Sequence, residues 1–597
     1  MEAVAHTDPV PRPLRPAPPP GSQNPAAPTG RRDGLTNDNG RTGPFATSTW
    51  ALAFATAACL VGWVALRRNV LFGVDLGLYD ETSWLATGAR FLHGGTLSLA
   101  PAESPLFALW HAMWLAVTHD PISSYYVQWL ATDLFVLLAV LATARSLGLG
   151  APACGAAALI WSATSVASLG WPRVYMLALL VLLLGHLFSH AVRRAWPGGL
   201  ALVVACFVRP EYQLSLLLWC ALLVRRRLPE RHRRLATVLA AATLLALAIA
   251  VPWGGGRMWI AFNQHFAVRF AELHPDTLSD PWLQAPALAD QLLPGAHTIS
   301  QALRIAPGTV VAHALHNLVG YPAVLLRSVA HWPHVGSPLS TWPGTLMLVL
   351  GAGVGIARLL RWRRARQGEN GAFALMTTRD WQYFGCAASA SLASLLVMAK
   401  AAYVVLLVLA LVVYCVAAVA WGWRTWVTPR IPRMRTAAGW VLAGLALVPW
   451  LLPPAALPPR ITLRTMLALR SVWEAQPAKT EWRMLEADGG WCTYLDVARC
   501  TWVESHLKRR AVPWSRFLRE NRINSVVVSQ RLIADAAYRD DPEFREFYLR
   551  PAGRGFRPVF RNELAILFLS DAPPPPHPAS TGAQGVPSAA DLSPVVR

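Results

Sequence analysis

TSTWALAFATAACLVGWVAL, residues 47–66, runs for twenty positions without a charged side chain. At about 1.5 Å per helical residue that length crosses a hydrocarbon core of roughly 30 Å. The run begins too far from the N-terminus, and lacks a cleavage site, to be a removable signal, so it reads as an uncleaved first span. Similar apolar runs recur to about residue 455, and a composition of 54% hydrophobic and 15% charged residues places the chain in the membrane class.

Eleven crossings are expected: 47–66, 104–118, 124–145, 151–170, 173–191, 198–224, 235–253, 342–360, 382–399, 402–423 and 436–455. The net charge of +21 comes largely from short loops between these runs, around Arg225–Arg227, Arg358–Arg366 and Arg424–Arg435. That is an orientation signal rather than a nucleic-acid footprint. It puts the N-terminus in the cytoplasm of a multi-pass inner (plasma) membrane protein. Loops 67–103 and 254–341 and a C-terminal region, 456–571, then share the outer side. Residues 1–46 and 572–597, rich in Pro and small polar residues, read as disordered tails. Segment 104–118 is short, and 198–224 carries Arg209-Pro210-Glu211 at its middle, which makes it one kinked span or two half-helices.

The fold class is therefore a polytopic α-helical membrane protein with a small extracytoplasmic α/β domain. Within that domain Trp491–Leu495, Asn524–Ser529 and Leu564–Leu569 have strand composition, and Trp514–Asn521 and Pro542–Leu549 have helical composition. Cys492 and Cys500 lie there, and a disulfide is allowed if the domain is outside. The other six cysteines fall in apolar spans and carry no signal.

Tyr79-Asp80-Glu81 places two carboxylates just past the first span, before a helix over Glu81–His93 that ends at Gly94-Gly95. Asp is a favoured N-cap and Gly a favoured C-terminal stop, so a structural role stands beside a catalytic one. The helix is amphipathic and suits the membrane interface. Arg209 offers a planar match to a phosphate or a partner for Glu211. Arg173 falls in an inner loop and is set aside as an anchor. His265 could contact a phosphate or an acceptor, or serve as an ordinary structural histidine. His313 and His316-Asn317 lie in a stretch that suits an interfacial helix. His274, Asp276 and Asp280 could bind a divalent cation, but their spacing fits no specific metal motif, so no metal or other cofactor is indicated.

The pair Asp80-Glu81, the helix behind it and the turn Glu103-Ser104-Pro105-Leu106 resemble the GT-C superfamily of polytopic glycosyltransferases. The likeness is to the protein O-mannosyltransferase and aminoarabinose-transferase type of family 39. In that family an acidic pair opens the first external loop and a Glu-Lys-Pro-Pro-like turn follows the interfacial helix. Here Ser104 and Leu106 replace the Lys and the second Pro, which removes the lysine implied to grip donor phosphate. The resemblance implies transfer of a sugar, with inversion, from a polyprenyl-phosphate donor to a glycan, lipid or protein acceptor in the cell envelope. Asp80 would be the general base, and Glu81, Glu103, Arg209 and His265 the substrate contacts. A transporter or flippase of lipid-linked substrates would call for internal repeats, and none is visible. An inactive assembly module would have no need of the acidic pair.

Overall fold

The computed structural model describes residues 49–571 except 69–73, 79, 100–102, 169–171, most of 228–255, 276, 279–280, 334–338, 365–377, 428–458, 478 and 509. The tails and the expected crossings 235–253 and 436–455 lie outside the described residues. The helices are α1 (Thr49–Arg68), α2 (Asp80–Leu92), α3 (Pro105–Thr118), α4 (Pro121–Ser146), α5 (Ala151–Ala163), α6 (Val174–Ala191), α7 (Trp196–Cys206) and α8 (Tyr212–Arg227). They continue with α9 (Arg257–Leu273), α10 (Pro281–Leu292), α11 (Ile299–Ile305), α12 (Pro307–Ala330), α13 (Trp342–Arg364), α14 (Thr378–Ala388), α15 (Ala393–Leu396) and α16 (Val405–Gly422). Among the described residues five helices are long and apolar enough to cross a membrane: α1, α4, α6, α12 and α16.

Close packing fixes how these helices run. Gly62 of α1 sits against Leu159 of α5, and Gly155 against Ala55 and Cys59, so α1 and α5 run in the same direction. The intervening α4 runs opposite to both. Arg67, at the end of α1, is buried and paired with Asp133 of α4 at 2.8 Å, and it also donates to the carbonyls of Ser162 and Ala167. Such a pair is tolerable because the guanidinium Nε and Nη2 both donate to oxygens, from Asp133, Ser162 and Ala167. The chain therefore leaves α1 and enters α4 at one end of the bundle, and both α2 and α3 belong to that end. The expected crossing 104–118 is corrected: its composition is apolar, but α3 returns to Asp120, whose carboxylate meets Arg470 of the C-terminal domain. We call this end the domain face.

Segment 198–224 is neither a kinked rod nor a pair of collinear halves. It is a hairpin. Gly185 of α6 faces Ala201 of α7, Gly198 faces Ser189, and Gly199 faces Trp219 of α8, so each helix reverses the one before it. Arg209-Pro210-Glu211 forms the tip, and the amide of Leu106 donates to Phe207 O there at 3.3 Å. The same register sets the end of α7 roughly level with Leu180, about 9 Å short of the Val174 end of α6. The tip is thus recessed below the domain face. Arg193 and Arg194 fall at the opposite face, whereas Arg173, expected on the inner side, lies at the domain face.

Helix α12 is long enough to cross, yet it lies along the domain face. His313 reaches the backbone of Val397 at 3.0 Å, Asn317 donates to Leu395 O at 2.9 Å, and Ser165, just beyond α5, donates to Ser328 O. Both of its halves therefore touch segments of one face. The expected span 382–399 breaks into α14, a 3-10 turn over Ser389–Leu392, and α15.

The C-terminal domain begins with α17 (Ile461–Glu474). Its sheet consists of β1 (Trp482–Glu486), β2 (Cys500–Glu504), β3 (Ser525–Ser529), β4 (Phe556–Arg561) and β5 (Ala565–Ser570) in the order β2-β1-β3-β5-β4. β1 pairs parallel with β2 and β3, and the β5 pairings are antiparallel. Alternation divides the two faces. Leu485, Val526, Val528 and Phe568 join an aromatic cluster with Trp514, Phe544 and Phe547. Met484, Val527, Leu567 and Leu569 face the other way, into the core that also holds Leu76, Leu85, Phe107 and Tyr125.

Residues Trp491–Leu495, expected as a strand, form a short helix, α18. Gly489 and Gly490 take positive φ, and a Glu486 carboxylate oxygen accepts the amides of Gly490 (2.9 Å) and Trp491 (3.1 Å), which starts a helical turn. The edge place beside β1 is filled by Cys500–Glu504 instead.

Candidate functional site

The acidic segment is held before its helix begins. The Asp75 carboxylate accepts the amides of Thr462 (2.8 Å) and Leu463 (2.7 Å), capping α17 from a distance in sequence. Tyr126 donates to Val74 O at 2.9 Å. The amide of Gly77 donates to the Tyr125 hydroxyl at 2.9 Å, and the carbonyl of Gly77 accepts from Tyr494 at 2.6 Å. Three residues later Asp80 opens α2. Its side chain and that of Glu81 lie outside the described residues, so only their place at the helix start is given. Thr82, buried, lies against Gly490 of the C-terminal domain. The helix ends on Gly94 at φ 83°, with Gly95 donating to Arg90 O.

At the next turn Glu103 is exposed and Ser104 is buried. Ser104 takes a left-handed φ of 49°, and its carbonyl accepts from Phe107 and Ala108 as α3 starts at Pro105. Arg209, at the recessed tip, is bound to Glu211, donates to Ala402 O at 3.0 Å and lies 4.9 Å from the Tyr403 ring. The cavity around it measures about 10 Å³, room for a single water.

Lys400 lies two residues from Ala402, with its ammonium 5.6 Å from the centre of the Trp282 ring. It is one of three lysines in the chain. Its position between two apolar runs is the signal that the sequence carries for it. His265 packs edge-on against Trp282. Burial, then the charge of Lys400 and His313, drives its pKa down to about 3. Its imidazole is therefore neutral, and it can hydrogen-bond a ligand but not pair with it as an ion. Contacts thus join the Glu103 turn, the Arg209 tip, the Lys400 segment and the His265 helix across one face, while Gly77 and Thr82 tie the acidic end to the C-terminal domain.

Glu486, which no local sequence pattern singles out, is a second such residue. It is fully buried, and burial, with Asp488 second, pushes its carboxyl up to about 8. Asp488 is raised as well, again mainly by burial. Among the described residues no group of three or more His, Cys, Asp or Glu could hold a metal ion. Asp276 and Asp280 lie outside them.

No protein-family model matches the chain, and no curated protein matches it. Among solved structures it is similar to the archaeal oligosaccharyltransferase AglB from Archaeoglobus fulgidus in complex with an inhibitory peptide and a dolichol-phosphate. That match has 12% identity over 81% of this chain and 69% of that one, at a TM-score of 0.42. The apo form of the Archaeoglobus fulgidus oligosaccharyltransferase is similar at 14% identity over 80% and 69%, also at 0.42.

Proposed function

We propose that this protein is a membrane glycosyltransferase that moves a sugar from a polyprenyl-phosphate donor to an acceptor hydroxyl on the outer side of the plasma membrane. The observation that carries the reading is the start of α2: an Asp-Glu pair opening an amphipathic helix at the domain face, on a segment held by hydrogen bonds from both the bundle and the C-terminal domain. Asp80 takes the acceptor proton as the new glycosidic bond forms and the sugar–phosphate bond breaks. The phosphate leaves as a stable anion, so no acid partner and no metal is required, and attack opposite the leaving group inverts the anomeric centre. Glu81 and Glu103 orient the acceptor.

Donor recognition falls to Lys400 in this reading, because Ser104 offers no charge and Arg209 is committed to Glu211. Arg209 then shapes the recess, and neutral His265 donates or accepts one hydrogen bond. With the N-terminus cytoplasmic, the domain face is extracytoplasmic, where the Cys492–Cys500 disulfide persists. Losing 104–118 and splitting 198–224 offset one another, so these two changes leave the expected side of the C-terminal domain unaltered. Asp133, the deeply placed carboxylate that a transporter reading would use, is occupied by Arg67.

The test is transfer of label from a polyprenyl-phosphate sugar by the purified full-length protein. Asp80→Asn should lower kcat by about 10²- to 10⁴-fold with expression unchanged. Full activity in that variant would sink the mechanism.

A further inference from the structure

The C-terminal domain touches the acidic segment through one short helix. α18 has five residues, all buried, and is too short to persist by itself. Its first turn is started by Glu486, and its second residue is tied to the first residue of β2 by the Cys492–Cys500 disulfide. Thr493 and Tyr494, the next two residues, reach across: Thr493 donates to Thr82 O at 3.4 Å, and Tyr494 donates to Gly77 O at 2.6 Å. Gly490 comes so near Thr82 that a Cβ there would lie 2.7 Å from the threonine methyl.

Gly77 is therefore gripped on both sides, its amide by Tyr125 of α4 and its carbonyl by Tyr494. Asp80 follows within three residues. We propose that α18 is the positioning element of the Asp80 helix start and that the disulfide is its brace, so that the site reaches its full rate only in the oxidised protein. This rests on the reading of Asp80 as the base.

The chemistry of release is ordinary thiol exchange. A dithiol reductant attacks the disulfide, supplies two electrons and two protons, leaves Cys492 and Cys500 as thiols and closes into its own cyclic disulfide. Between α18 and β2 there then remains only the connecting backbone, residues 496–499, with the Cys500 amide donating to Asp496 O at 2.7 Å. An ångström of drift breaks the Tyr494 contact, and misplacing a catalytic group by that distance costs on the order of a hundredfold in rate.

The experiment uses the full-length protein in nanodiscs, oxidised or treated with dithiothreitol, with hydrogen exchange and sugar transfer read in parallel. Reduction should raise exchange in residues 74–85 and 491–495 and leave the α1–α4 contact around Arg67 unchanged. kcat should fall by about ten- to a hundredfold, with KM for the donor held, and recover on reoxidation. Because reduction could loosen the whole domain, Tyr494→Phe supplies a second arm: the disulfide stays, one hydroxyl is lost, and exchange should rise over 74–85 alone. Unchanged exchange over 74–85 in both arms overturns the proposal. An oxidised protein that transfers no sugar overturns the functional reading instead, and the exchange arms still decide the clamp.

Discussion

Asp133 and Glu486 are both buried carboxylates, and their surroundings set opposite consequences. Asp133 pairs with the buried Arg67 guanidinium at 2.8 Å, so Asp133→Ala takes that carboxylate away from a buried cation. A loss of about 3–5 kcal/mol is expected, enough to cut the folded yield in membranes, and it is checked by thermal unfolding in detergent. Glu486 instead accepts backbone amides, those of Gly490 and Trp491 on one oxygen, and has the Asp488 carboxyl nearby. Its folded pKa, about 8, lies above its unfolded value, so the native state holds a proton that the unfolded chain has already released. Its contribution to stability is then complete below about pH 4.5 and is lost as the pH rises through about 8, at roughly 1.4 kcal/mol per unit. Asp488 acts in the same sense. Hydrogen exchange over residues 482–495 should accelerate from pH 5 to 8 beyond the intrinsic chemical rate. Glu486→Gln keeps an acceptor for Gly490 and Trp491 and should flatten that dependence.

Two glycines show how elements dock and why their spacing hides in the sequence. A Cβ on Gly88 of α2 would meet the backbone oxygen of Ala108 at 2.3 Å, whereas one on Gly320 of α12 meets nothing within 4 Å. Helix propensity alone favours Ala at both by up to about 1 kcal/mol. Gly320→Ala should raise Tm slightly. Gly88→Ala should lower it, because α3 must move off α2 at a cost of about 1–3 kcal/mol, and transfer activity should fall with it. The same logic separates what was legible from what was not. The run 47–66, the helix after Asp80 and its glycine stop are local patterns, and they appear within a residue or two of their expected bounds. The reversal at Arg209-Pro210-Glu211 depends on Gly185, Gly198 and Gly199 meeting Ala201, Ser189 and Trp219, which no hydropathy window contains. Trp491–Leu495 has strand composition, but its backbone follows the Glu486 carboxylate. The site residues behave likewise: the Asp80-Glu81 position is written in the local sequence, while Lys400 reaches Trp282 only through the fold.

The direction of the chain through the membrane follows from these contacts and can be tested without knowing which side is which. If 104–118 crossed and 198–224 were one rod, residue 123 would lie across the membrane from the C-terminal domain, and residue 194 would lie on its side. The packing reverses both placements. Asp120 meets Arg470, and Tyr126 meets Val74, so the start of α4 is beside the domain, whereas the α6–α7 turn is at the far end. Ser123 and Arg194 are exposed. In a Cys220→Ser background, Ser123→Cys and Arg194→Cys should react with a membrane-impermeant maleimide from opposite sides of intact spheroplasts and inverted vesicles. Ser123→Cys should share its side with an Arg510→Cys variant of the C-terminal domain, which is likewise exposed. The positive-inside bias, now joined by Arg193 and Arg194, makes the Ser123 side external. Labelling of residue 194 together with residue 510, and of residue 123 from the other side, would restore the crossing at 104–118. It would also carry Asp80 and the Arg209 tip to opposite sides of the bilayer, and a single transferase site could not then include both.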